Sequence, residues 1–361
     1  MTYIAALRSA ALKVVRSDPR FVDHTMADLE RYVLSTGYMD APFPHSSTLN
    51  LLYVYAANLR NAGGPGVNLH RFGDMVVGAL AGLITENRIA PVHLPELAQR
   101  CLAWLDGPNG RPLVRGNDLR YRDQLRALAK GDHPAVPFQR HLQSVVEFID
   151  LLNQAYGGCA SIYHDSFSNH DSRLEPGRAV VARLNELKHL SGIGVATGLN
   201  FIKDSQIARF ASSRLETMLS EPLGWFVKPD MHVLRAMLFI SGRFGQTGLA
   251  PHQLAHLKPE EAKAHYANLA ATREWFKLDM RPLDADRPRG ESGLWRCVAD
   301  VHAWASCEGV VPLEIDRLLF LIGSGRYLND ARISVSQSRR YQILMLAIED
   351  AITNLPSGRL D

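Results

Sequence analysis

Apolar residues recur along most of this chain at steps of three and four, the spacing that lines one face of an α-helix. On that pattern helices are predicted over 26–35, 47–61, 73–85, 95–104, 119–130 and 138–156. Others are predicted over 176–190, 231–240, 259–271, 294–307, 314–322 and 338–355. Runs that alternate in polarity, as a half-buried strand requires, are scarce. Glycine and proline interrupt the pattern at Gly63-Gly64-Pro65-Gly66, Asp106-Gly107-Pro108-Asn109-Gly110 and Gly131-Asp132-His133-Pro134, which read as loops between helices. Neither an internal repeat nor a low-complexity tract is visible, so the expected class is mainly α, with helices packed on helices.

Composition narrows this to a globular chain able to build a core: 361 residues, 46% hydrophobic and 21% charged. The formal charge of +3 is compatible with nucleic acid but too small to argue for it, so distribution has to supply the evidence. Arg111, Arg115, Arg120, Arg122, Arg126 and Lys130 face only Asp118 and Asp123 between them, and Arg339-Arg340 forms a second basic cluster. Either suits phosphates; the first also reads as the solvated face of a helix. Cys101, Cys159, Cys297 and Cys307 have no metal-ligand spacing, so they read as small buried residues, and no metal or cofactor is expected. Charges at Arg8, Lys13, Arg16 and Asp18 break the start before a signal-like core develops, and no run is long enough to cross a membrane. A cytoplasmic protein without a membrane partner is expected.

Candidate chemistry lies between Leu187 and Arg235. Leu190-Ser191-Gly192-Ile193-Gly194 places two glycines one residue apart, flanked by Val181, Leu184 and Leu187 before and Ala196, Leu199 and Ile202 after, all at helical spacing. Such a turn bends tightly and brings N–H groups close to a ligand without Cβ interference, and phosphate is its natural ligand. A plain helix end followed by a turn accounts for the glycines equally well. Downstream stands Pro229-Asp230-Met231-His232-Val233-Leu234-Arg235. Its acid reads either as a helix cap or as a lone reactive carboxylate.

In that order the two segments resemble the helix-hairpin-helix superfamily of DNA glycosylases. Its hairpin follows the pattern L-P-G-[IV]-G-x-x-T-A, and its catalytic acid lies in D-x-[HN]-[IV]-x-R. Gly192 and Gly194 match the paired glycines; Asp230, His232, Val233 and Arg235 match the acid segment. The chain departs at Ser191, where proline is usual, and in a longer interval before Asp230, in which 203–225 reads as an extra helical excursion. The resemblance covers about fifty residues. It implies a helix-hairpin-helix glycosylase-like domain over 151–361, with 1–150 as an additional amino-terminal helical region of unassigned role. It also implies that Gly192, Ile193, Gly194 and Ala196 hold a DNA backbone and that Asp230 is catalytic. His232 and Arg235 would be supports.

Members that also cut the backbone carry a lysine two residues after the second glycine; Ala196 stands there and cannot form a Schiff base. The expected enzyme is therefore monofunctional: it everts a modified base from double-stranded DNA and hydrolyses its bond to the sugar, leaving an abasic site. Tyr163, His164 and Asp165 lie where relatives place base-pocket and wedge residues. His164-Asp165 and His170-Asp171 fit no metal geometry and read as a polar loop. Tyr327, after Gly323-Ser324-Gly325-Arg326, reads as a second backbone contact or as a helix-terminal turn. A narrower expectation from the resemblance is a bulky phage base such as glucosylated hydroxymethylcytosine. The alternatives are a non-catalytic helix-hairpin-helix DNA-binding protein and a helical interaction protein.

Overall fold

The computed structural model describes residues 3–34, 46–61, 69–108, 118–132, 137–168, 176–209, 230–241, 253, 256–268, 297–298, 300–301, 304–305, 307–328 and 331–353. Within them the protein is mainly helical, as the periodicity requires. The chain forms two compact units: residues 38–223 make one, and the segments 1–37 and 224–361 on either side of it make the other. The division expected near residue 150 falls inside the helix Pro137–Tyr156, which runs unbroken through it.

The two-segment unit is organised by its amino-terminal helix. Helix α1 (Tyr3–Arg16) buries Ile4, Ala6, Leu7, Ala10, Ala11, Val14 and Val15, a stripe with helical period. Its partners in one common core come from α2 (Met26–Leu34) and from helices near the other end of the chain. Those are α11 (Met231–Ser241), α12 (Pro259–Asn268), α13 (Pro312–Ser324) and α14 (Gln337–Thr353). Each fully buried Leu, Ile or Val contributes about 1.5–3 kcal/mol from area removed from water, so this stripe is a major reason the two segments stay together.

A buried carboxylate fastens the same two segments. Asp18 accepts the backbone N–H of Arg20 at 3.0 Å and of Ser334 at 3.0 Å, and both Nε and Nη2 of the Arg20 guanidinium, at 3.0 and 2.7 Å. The guanidinium above all, with the two N–H groups, holds this carboxyl far below the ordinary aspartate range. Tyr327 is closed into the core beside Phe21, His24 and Tyr32, with ring centroids 5.3, 5.5 and 4.9 Å away. It is therefore a packing residue rather than a backbone contact. The preceding glycines close α13 as a helix-terminal turn, in which Gly325 takes φ +68° and donates to Leu321 at 2.8 Å.

The continuous unit contains α3 (Ser47–Asn61), α4 (Leu69–Leu80), α5 (Leu94–Asp106), α6 (Asp118–Ala129) and α7 (Pro137–Tyr156). It continues with α8 (Ala160–Ser168), α9 (Pro176–Leu187) and α10 (Val195–Arg209). The helix predicted over 73–85 stops at Leu80; β1 (Ile84–Thr85) and β2 (Arg88–Ile89) then form an antiparallel hairpin. Glu86 and Asn87 adopt φ of 52° and 60° at its tip, the left-handed pair that matches strand twist. The core stacks Tyr55 on Phe148, centroids 4.0 Å apart, with Phe201 edge-on to both. On α6, Arg122 pairs with Asp106 and donates to Leu105, and Arg126 pairs with Asp123, so these two have local partners; Arg111 and Arg115 of the basic run lie outside the described residues. Cys101, Cys159 and Cys297 are buried as expected, but Cys307 is exposed.

Because the Asp18 carboxyl is depressed in the folded state, its contribution is present above the unfolded value near 3.9 and is lost as pH falls through the folded value. Asp18→Asn is expected to lower the thermal midpoint at neutral pH and to flatten the acid limb of the stability profile. Thermal unfolding between pH 7 and pH 2 measures both; a variant as stable as wild type at neutral pH would refute the fastening role.

Candidate functional site

The two parts of the expected site lie on different units. On the continuous unit, α9 ends at Leu187 and the chain turns through Leu190 and Gly192 before α10 starts at Val195. Leu190 donates to Leu187 at 3.0 Å and Ile193 to Leu190 at 3.2 Å, while Gly198 donates to Gly194 at 2.9 Å and so opens the ladder of α10. Leu184, Leu187, Ile193 and Leu199 are buried. Gly192 and Gly194 face outward, and Gly192 takes φ +78°, a conformation that costs an L-residue about 1–2 kcal/mol. The hairpin thus turns its apolar residues into the core and its glycines to solvent.

Its N–H groups divide in the same way. Those of Gly192 and Gly194 meet no acceptor among the described residues. Ala196 lies in the first turn of α10, where an N–H has no partner inside the helix. Ile193 differs from expectation: its N–H closes the turn and its side chain is buried, so it shapes the hairpin rather than presenting a donor.

One brace holds the turn and a second ties the helix that leads into it, and neither was found by sequence pattern. Glu147 on α7 accepts the Ser191 N–H at 2.5 Å with Oε2 and the Ser191 hydroxyl at 2.8 Å with Oε1. This explains the departure at Ser191, since proline has no N–H to give. Arg183 on α9, only 5% exposed, donates through Nη1 to the Tyr156 hydroxyl at 2.5 Å and to Glu186 at 2.9 Å. Through Nη2 it donates to the Tyr163 carbonyl at 3.0 Å and the Ser166 hydroxyl at 2.5 Å, and it lies 3.9 Å above the Tyr163 ring. A single guanidinium thereby ties α7, α8 and α9 together.

Tyr163 itself is enclosed, edge-on to Tyr156 and Phe148, so it belongs to the core and not to an open base pocket. His164 is buried as well and Asp165 is exposed. Residues 164 and 165 lie on α8, which continues to Ser168, and not in a polar loop; His170 and Asp171 lie outside the described residues. Residues 203–209 continue α10 instead of beginning a new excursion, and 210–225 also lie outside the described residues. On its inner face α10 carries a buried polar set, in which the Asn58 amide donates to Asp204 at 3.1 Å and receives Asn200.

On the two-segment unit, Asp230 stands at the start of α11. Its Oδ1 accepts the N–H groups of His232 at 2.8 Å and Val233 at 3.0 Å, the geometry of a helix N-cap. Oδ2 has no hydrogen-bond partner among the described residues, and Asp230 is partly exposed. His232 packs edge-on to Phe320, centroids 5.9 Å apart, and burial, partly offset by the Asp230 charge, favours its neutral ring. Arg235, one turn on, donates to the Leu257 carbonyl and so ties α11 to the segment that leads into α12. His232 and Arg235 are thus both engaged by neighbouring elements of this unit.

No protein-family model, curated protein or solved structure matches this chain. No described helix is long and apolar enough to cross a membrane.

Replacing Glu147 by alanine strands the Ser191 N–H and hydroxyl, and hydrogen bonds to a charged acceptor of this kind are worth about 1.5–3 kcal/mol. The expected loss of stability is about 2 kcal/mol, accompanied by faster amide exchange over 190–194. Denaturant unfolding and hydrogen exchange read these separately; unchanged exchange across the turn would remove Glu147 as its brace.

Proposed function

We propose that the chain is a monofunctional DNA glycosylase in which Asp230 is the catalytic carboxylate and the Gly192–Gly194 turn holds a DNA backbone. The observation that carries this reading is the divided use of one carboxyl group. Oδ1 is committed to the N–H groups that open α11, which fixes the group in place, while Oδ2 remains without a hydrogen bond among the described residues. A carboxylate held this way costs no reorganisation when charge develops in front of it.

In the proposed reaction the bond from deoxyribose C1′ to the base nitrogen breaks and its electron pair leaves with the base. Asp230 stabilises the cation-like sugar and takes a proton from the attacking water, whose oxygen bonds to C1′. Proton return to the base completes the balance. Ala196, where lyase members of the resembled superfamily carry lysine, has no amine to capture the sugar, so the product is an abasic site. The substrate is double-stranded DNA with a modified base. The long interval between Ala196 and Asp230 favours a bulky one, and glucosylated hydroxymethylcytosine of phage DNA is the specific candidate, which places the enzyme in the cytoplasm as a defence.

The cap hydrogen bonds favour a second reading, in which Asp230 only starts a helix and the protein binds DNA without chemistry. Incubation with phage DNA bearing the glucosylated base, and with alkylated, deaminated and oxidised duplexes, followed by alkali cleavage, separates the two. Strand breaks at modified positions support the glycosylase; tight binding with no breaks on any substrate supports the binding protein.

Asparagine caps helices as well as aspartate does, so Asp230→Asn keeps α11 and removes only the charge. Base release is expected to fall at least about a hundredfold with duplex affinity retained; near wild-type release would exclude the catalytic role. Gly192→Val, by contrast, forces a β-branched residue into a left-handed conformation. It should weaken binding to all DNA sequences alike, measured by titration of unrelated duplexes. A change confined to one sequence would contradict backbone holding.

A further inference from the structure

Three ends of helices meet within the two-segment unit around the carboxyl terminus of α13. A Cβ built on Gly323 would stand 2.7 Å from the backbone oxygen of His232, so the start of α11 lies directly on it. Gln337, the first residue of α14, donates to the Gly323 carbonyl at 3.1 Å. A Cβ on Gly325 would stand 2.7 Å from Arg340 Cζ, so the guanidinium of Arg340 occupies the space that a side chain would fill there. With φ +68° Gly325 suits this position twice over, since both the backbone and the packing reject a larger residue.

Arg340 is only 6% exposed, yet its Nε and Nη1 have no hydrogen-bond partner among the described residues. A buried guanidinium almost always sits against a carboxylate or a row of carbonyls, because desolvating it uncompensated is costly. Among the described residues its charge neighbour is Tyr341, and burial pushes its pKa down, toward the neutral form. Among the described residues, enclosed side-chain atoms without a hydrogen-bond partner gather here: Arg340 Nε and Nη1, Arg235 Nε and His232 Nδ1. His232 feels the charges of Asp230, Arg235 and Arg340 together. The amino-terminal ends of α11 and α14 add two positive dipole ends, and Arg326, Arg332 and Arg339 are exposed close by in sequence.

We propose that Arg340, seated against Gly325, binds a phosphate group of a nucleic-acid backbone. A guanidinium supplies paired N–H donors in a plane, which fits two oxygens of a phosphate; Nη2 shares an edge with each of the unpaired Nε and Nη1 and completes such a pair, and packing against Gly325 fixes the group. The seat is a phosphate site separate from the Gly192 hairpin, and it lies on the unit that carries Asp230. The nucleic-acid source rests on the glycosylase reading; the phosphate chemistry stands on the unpaired donors alone.

The test compares the full-length wild type with Arg340→Met and Arg340→Lys. At matched ionic strength, inorganic phosphate is expected to raise the thermal midpoint of wild type above its value in chloride, to raise Arg340→Lys less, and to leave Arg340→Met unmoved. In chloride, Arg340→Met should be at least as stable as wild type, because an unpaired buried charge has gone. On unmodified duplex, Arg340→Met should bind several-fold more weakly and lower the slope of log affinity against log salt by about one. Equal phosphate shifts in wild type and Arg340→Met, or none in either, overturn the proposal. So does a marked loss of stability of Arg340→Met in chloride, up to failure to fold, which would make the guanidinium a structural partner. A phosphate effect specific to Arg340 with an unchanged salt slope overturns the nucleic-acid source and assigns the seat to free phosphate. Absence of base release from every duplex sinks the glycosylase but leaves the phosphate and salt readouts standing.

Discussion

The apolar stripe of α1 finds its partners in helices that the chain supplies near its other end, and this constraint governs the rest of the molecule. A stripe of seven buried residues at the amino terminus must remain beside α13 and α14, with Asp18 tied to Ser334. Everything between residues 38 and 223 has to leave that core and return to it, so it folds around a core of its own. The hairpin therefore falls late in the continuous unit, and Asp230 falls at the start of the returning segment.

Each candidate feature is held in place by, or built on, one charged side chain. Glu147 holds the hairpin through Ser191 and leaves the glycines outward. Asp230 holds α11 with one oxygen and leaves the other without a hydrogen bond among the described residues. Arg340 is held by packing against Gly325 and leaves Nε and Nη1 unpaired. Arg183 is the contrast, since its donors are met by Tyr156, Glu186, Tyr163 and Ser166, and it acts as a structural tie. Full satisfaction stabilises a fold; partial satisfaction in a rigid setting is what a ligand can complete.

Helices were legible wherever burial follows a local period. The boundaries of α3 coincide with the apolar pattern over 47–61, and those of α6, α7 and α11 lie within a residue or two of it. The hairpin turn was legible because glycine alone tolerates the φ of Gly192, and the helix start at Asp230 because an acid after proline is a capping signal. Glu147 was not, since nothing in a glutamate within a helix pattern indicates that a turn forty-four residues later will use it.

Sequence alone therefore determined the helical class, the turn and the capped acid, because each depends on interactions within a few residues of chain. Only tertiary structure decided which polar groups are enclosed. It drew Tyr163 into the aromatic core, closed Tyr327 beside Phe21, and buried Arg340 while its neighbour Arg339 stays exposed. Burial and pairing of a side chain depend on what distant segments bring against it, and that information is not contained in the residue or its near neighbours.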